Sequence, residues 1–220
     1  MSTVSSISED TSALDVTQRS LVPISAHAAA GDMEALKRAI DAGLDAGLSI
    51  NAAKEALVQL YAYAGFPRSL NALGVLKARV EARAEAGKED VEGPDPTGST
   101  LVGEALLERG TENQTRLAGR EVSGALFDFV PVANTFLRSH LFGDIFERDN
   151  LDWQSREVAT IAMLAGMTGA ESQLKSHLNM GTNAGLSRAQ LEAIVVVLRV
   201  RVSPEAARRA ETALAEFSAS

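Results

Sequence analysis

A chain of 220 residues can bury one large core or two small ones, and its formal net charge of −8 opposes non-specific binding to nucleic acid or to anionic membranes. The chain has no cysteine, which removes disulfides, thiolate metal sites and thiol redox chemistry together.

Residues 1–12 are rich in Ser, Thr and acidic groups and read as a disordered tail. MSTVSSISEDTSALD lacks the charged-then-apolar pattern of a signal peptide, and no apolar run approaches the roughly 18 residues a membrane span needs. A cytoplasmic protein without a membrane partner is expected. Asp15 sits just before an apolar-periodic run and suits an N-cap, its carboxylate accepting from unpaired backbone N–H groups. A helical unit is predicted over 13–85, running through KEALVQLYAYAG. EARAEAGKEDVEGPDPTGS (81–99) then passes from charged helix into a Gly/Pro/Asp-rich stretch, which places a linker at 86–100.

A second unit is expected over 101–218. Its preface, 101–148, has no equivalent before the first unit and contains FVPVANTFLRSHLFGDIFERDNL, with apolar positions at helical spacing. Asp152 repeats the N-cap role. Leu174, His177, Leu178 and Gly181 fall at i, i+3, i+4 and i+7, on one helix face. Ser187 with Gln190 fits a capping box, and Ser203-Pro204 fits an N-cap followed by Pro at the first helical position. The VVVLRVRV run at 195–202 reads as the end of a buried helix, because its counterpart in the first unit is helical. The fold class is all-α.

The units are copies. Leu14, Asp15 and Arg19 align with Leu151, Asp152 and Arg156; after a one-residue insertion, Leu36 and Lys37 align with Leu174 and Lys175, and Gly43 with Gly181. AGLS at 46–49 meets AGLS at 184–187. A duplicated helical unit predicts two tandem copies related by a pseudo-two-fold axis.

HLFGDIFERDNL (140–151), followed by SREVATIAMLAGMTGAESQLKSHL (155–178), resembles the carboxymuconolactone decarboxylase family and the wider set related to alkylhydroperoxidase D. The shared pattern is His-x-x-Gly-Asp-Ile-aromatic, then Arg, then a helix opening with Arg, then Leu-x-x-His. The first copy carries the family's other signature, YAYAGFPRSLNAL (61–73). Each copy keeps a part the other lacks: LRVRVSPEAAR (198–208) replaces the YxGxP stretch, and Ala39 replaces His177. The resemblance implies the helical fold of alkylhydroperoxidase D.

His177 is the first candidate for chemistry, since imidazole titrates near neutral pH and can give or take a proton there. The competing reading is a core histidine satisfied by a backbone carbonyl. In the thiol-dependent relatives, a glutamate at the place of Glu157 shares a proton relay with the histidine at the place of His177. A carboxylate in a helix's first turn is also favoured by the helix dipole alone. His140 matches the family histidine and, with Asp144 one turn on, is expected at a partly buried site as an acid/base or substrate-orienting pair. Arg148 matches the family arginine, and its planar guanidinium suits bidentate capture of a substrate carboxylate; Arg68 is a similar candidate. For both, a structural or solvated role stands equally open. Tyr61 and Tyr63, two apart, cannot share a helix face: one is core and the other lines a cleft, and Tyr63 is carried as a substrate-binding residue. Trp153 and His27 read as packing residues.

With three histidines and neither HxxxH nor HExxH spacing, no metal site is expected, and no Gly-rich phosphate loop is present, so no cofactor is implied. The resemblance implies a decarboxylase acting by acid/base chemistry on a small carboxylated lactone or related acidic metabolite. Arg148 would hold a carboxylate, His177 protonate the carbon left by departing carbon dioxide, Glu157 set its tautomer and His140 polarise the lactone carbonyl. The thiol-dependent peroxidase chemistry of alkylhydroperoxidase D needs Cys-x-x-Cys where this chain has Ala170 and Gln173. The remaining alternative is a non-catalytic or differently specialised module of the same fold. Family members form rings, and a duplicated chain is expected to form a homo-oligomer, a trimer with hexamer-like symmetry.

Overall fold

The computed structural model describes residues 10–97 and 101–217, and among them every regular element is helical. The first copy contains α1 (Val16–Ala30), α2 (Met33–Asp45), α3 (Ile50–Gln59) and α4 (Tyr61–Glu85). A preface follows: α5 (Gly103–Ala118), α6 (Ala125–Phe129), α7 (Pro131–Phe136) and a π-helix (Leu137–Ile145). The second copy contains α8 (Trp153–Gly166), α9 (Glu171–Ala184), α10 (Arg188–Arg201) and α11 (Pro204–Phe217). Most of the predicted tail, 1–9, lies outside the described residues.

Identical residues do identical work in the two copies. Asp15 accepts from Gln18 N–H and Asp152 from Ser155 N–H, each at 2.8 Å, starting α1 and α8. The repeated AGLS starts α3 and α10. Its glycine takes a left-handed φ (96° at Gly47, 107° at Gly185), which only glycine adopts without strain. Its leucine is buried in both copies, and its serine accepts the N-capping bond, from Ala52 N–H and from Gln190 N–H, at 3.2 Å each. At Ser187 the capping box is complete.

The copies also break in the same place. α4 is interrupted at Gly65, whose φ of 82° and ψ of 158° end one helix before Pro67 helps start the next. In the second copy Ser203 and Pro204 make the same break between α10 and α11, with the Ser203 hydroxyl accepting from Ala206 N–H at 3.1 Å. Tyr61–Ala64 is therefore the structural continuation of α3, as the last turn of α10 is of its own helix.

α1 and α8 form the largest helix–helix contact and hold the copies together. The approach is close at Gly166, where a Cβ would lie 2.6 Å from the Ala26 carbonyl oxygen. The cores interlock: Val22 and Ala26 of α1 pack with the second copy, and Ala159 and Met163 of α8 pack with the first. The preface adds a third apolar cluster around Leu117, Phe142, Ile145 and Phe146. Residues after α4 lie along the start of α3, with Ile50 N–H donating to the Val91 carbonyl at 2.8 Å and Asn51 N–H to Glu92 at 2.9 Å. Arg83 holds the same stretch through Asp90 at 2.6 Å and keeps that carboxyl below the usual carboxylate range.

Candidate functional site

Glu157 lies in the second turn of α8 and is fully buried; His177 lies on the buried face of α9 with Leu174, Leu178 and Gly181. The helices pack so that His177 Nδ1 donates to Glu157 Oε2 at 2.8 Å. A carboxylate only accepts, so Nδ1 carries the hydrogen and Nε2 is the ring nitrogen not engaged in this bond. The other oxygen, Glu157 Oε1, is buried with no hydrogen-bond partner among the described residues. An unpaired buried carboxylate oxygen is costly, and such exceptions cluster where function needs them.

The third group comes from the other copy. The Tyr63 ring stands edge-on to His177, with centroids 5.3 Å apart and planes at 78°. Its hydroxyl is also buried without a hydrogen-bond partner in good geometry. Thr160, beside it on α8, is held between the Arg156 carbonyl, to which it donates at 3.0 Å, and Gln59 Nε2, from which it accepts at 2.7 Å. Burial, then the negative charge of Glu157, pushes the Tyr63 phenol well above its ordinary range. Tyr63 touches all three apolar clusters, because the Gly65 break ends its helix at their meeting point. Imidazole, carboxylate and neutral phenol thus converge from both copies, a set able to move a proton and to stabilise a developing oxyanion.

Arg148 lies elsewhere. Its Nε and one Nη clasp Glu55 at 2.6–3.1 Å, so the expected substrate clamp is engaged inside the protein. Arg156, fully buried, also reaches Glu55 at 3.0 Å and binds Gln59 Oε1 and the carbonyls of Arg148 and Leu151. Burial works against the Glu55 carboxylate, but Arg148 and then Arg156 outweigh it and hold its pKa below the ordinary value. This two-arginine clasp ties α3 to α8 and to the segment before it. Glu55 and Gln59 were not singled out in the sequence; the available signal was their i,i+4 spacing, which puts both on one face of α3.

His140 and Asp144 do pair, Nδ1 to Oδ2 at 2.5 Å, but on the surface: both side chains are 47% exposed. The partly buried setting expected for them is corrected here. The π-helix turns Leu141, Phe142 and Ile145 inward and leaves these two polar residues outside, with His140 5.4 Å from the Tyr61 ring. Arg68 donates to the Ala29 carbonyl and so caps the C-terminal end of α1. Trp153 packs as expected, its indole N–H bonded to the Phe146 carbonyl at 3.0 Å. His27, 9% exposed, donates from Nε2 to the Arg201 carbonyl at 3.2 Å. Among the described residues no three His, Asp or Glu side chains gather as metal ligands, and no helix is long and apolar enough to cross a membrane.

The profile of the Carboxymuconolactone decarboxylase family matches this chain over residues 5–78 and 131–217. The matched segments cover α1 to most of α4, then α7, the π-helix and α8 to α11, and omit the end of α4 with α5 and α6. No curated protein matches the chain.

Proposed function

Because the chain belongs to the carboxymuconolactone decarboxylase family, we propose that it is a decarboxylase using cofactor-free acid/base chemistry on a small carboxylated lactone or related acidic metabolite. The observation that carries the reading is the buried Glu157–His177 hydrogen bond with the Tyr63 hydroxyl beside it. Loss of carbon dioxide breaks a carbon–carbon bond and leaves its electron pair on the organic fragment, where the lactone delocalises it onto oxygen. Tyr63, kept neutral by burial, donates a hydrogen bond to that oxygen. Protonated His177 delivers the Nε2 proton to carbon, while Glu157 orients the ring through Nδ1 and stabilises the imidazolium. The next proton comes from solvent.

Thiol-dependent peroxide reduction has no nucleophile in this chain, since Ala170 and Gln173 stand at the two cysteine places and no cysteine occurs anywhere. The direct test is carbon dioxide release from 4-carboxymuconolactone by the purified protein, with His177→Ala alongside. Release by the parent and its loss in the variant are expected. No release from the parent, or equal release from both, overturns the reading.

A further inference from the structure

The first copy holds a cavity of about 590 Å³ where the pseudo-two-fold axis would put a second acid/base site. Ser20 lines it at the place of Glu157, Ala39 at the place of His177, and Gly43 at the place of Gly181. The far wall comes from the other copy again: the end of α10 supplies Val196, Val197, Val200 and Arg201, with Arg201 at the place of Tyr63. Every group of the acid/base set is thus replaced, while the space remains.

Its chemistry has instead become cationic. Arg19, Arg38 and Arg201 line the cavity; Arg19 donates to the Leu14 carbonyl at 3.4 Å, and among the described residues no ion pair with a carboxylate holds any of the three. Asp32 is the one acidic lining residue among the described residues, and its side chain is occupied in capping α2 through Ala35 N–H at 2.9 Å. Three guanidinium groups gather here in a chain whose net charge is −8. The opposite wall is valine. The size falls within the usual range of small-ligand pockets, roughly 300–1,000 Å³.

We propose that this cavity is a binding site for a small organic acid, its carboxylates held by Arg19, Arg38 and Arg201 and its apolar body laid against the valines of α10. Binding here needs no proton transfer, so it stands or falls independently of turnover at His177. Occupancy would bridge α1 and α2 of one copy to α10 of the other.

The test is calorimetric titration with isophthalate, a stable aromatic dicarboxylate, in His177→Ala, where the acid/base site is disabled. Saturable binding is expected, with no binding of the neutral isophthalamide. Adding Arg38→Gln and Arg201→Gln should weaken it at least about tenfold, as losing charge-assisted hydrogen bonds implies. Both arginines are exposed, so an unchanged melting temperature should accompany that loss. Ala39→Phe, which fills the cavity, should abolish binding. Absence of saturable binding, or affinity unmoved by the arginine substitutions or by Ala39→Phe, overturns the proposal.

Discussion

Tyr63 of the first copy presents its ring edge-on to His177 of the second, 5.3 Å between centroids, so the buried Glu157–His177 pair is flanked from across the duplication. Neither copy holds the whole set: Arg201 stands where a second tyrosine would be, and Ala39 where a second histidine would be.

Removing either member of the buried pair should disable chemistry in distinguishable ways. His177→Ala should lower kcat by roughly 10²–10⁴, the usual contribution of a positioned acid/base group. Glu157→Gln keeps the shape but loses the acceptor charge, and its loss should be smaller and shift the pH–rate profile. Steady-state kinetics across pH check both.

Tyr63→Phe deletes a buried hydroxyl that, among the described residues, has no hydrogen-bond partner in good geometry, with Thr160 nearby. Stability should be unchanged or slightly raised, since no satisfied bond is lost. Turnover should fall by about 10², the scale of one oxyanion donor. Because burial and Glu157 raise the Tyr63 pKa, its phenol should stay neutral as pH rises through 10, the ordinary tyrosine value. Spectrophotometric titration of Tyr61→Phe should show no phenolate until the protein unfolds.

Glu55 should govern acid stability. Its folded pKa is held below the ordinary 4.5 by Arg148 and Arg156, against the opposing effect of burial. The stabilisation is therefore fully present above about 4.5 and is lost as pH falls from there through the depressed folded value. Glu55→Ala should cost about 3–5 kcal/mol at neutral pH, because two arginines, one fully buried, lose their counter-charge. Urea denaturation at pH 7 and in the acid range measures both effects.

His140→Ala should change stability by less than about 0.5 kcal/mol, since it removes one exposed i,i+4 pair. Its effect on turnover should be far smaller than that of His177→Ala. Thermal melts and kcat measured side by side distinguish it from a catalytic histidine.

Much of this was legible in the sequence because the duplication supplied an internal control. The caps at Asp15, Asp152 and Ser187, the buried face of α9 and the helical end of VVVLRVRV follow from local pattern, and local pattern survives folding. His177 could be placed on a buried helix face from its spacing, but Glu157 could be named beside it only because of the resemblance to the carboxymuconolactone decarboxylase and alkylhydroperoxidase D set. Arg148 could not be placed, because nothing local says that a glutamate 93 residues earlier will meet it. The partly buried setting expected for His140 fails for a different reason. Its neighbours Leu141 and Phe142 are buried, but a π-helix turns fewer than 100° per residue, so the inward face does not fall where α-helical spacing puts it. The cationic cavity was invisible for a third reason: Arg19, Arg38 and Arg201 each read alone as an ordinary surface charge.

The interlocked cores bear on how this chain can be divided. Val22 and Ala26 rest in the second copy's apolar cluster, and Ala159 and Met163 in the first's, so each half would expose a strip its sibling normally covers. Cut between residues 86 and 100 and produced separately, the halves should be insoluble or poorly folded. Produced together, they should find one another and rebuild the whole. The two halves have diverged as tenants of one building, where moving a wall on either side changes the shape of both rooms.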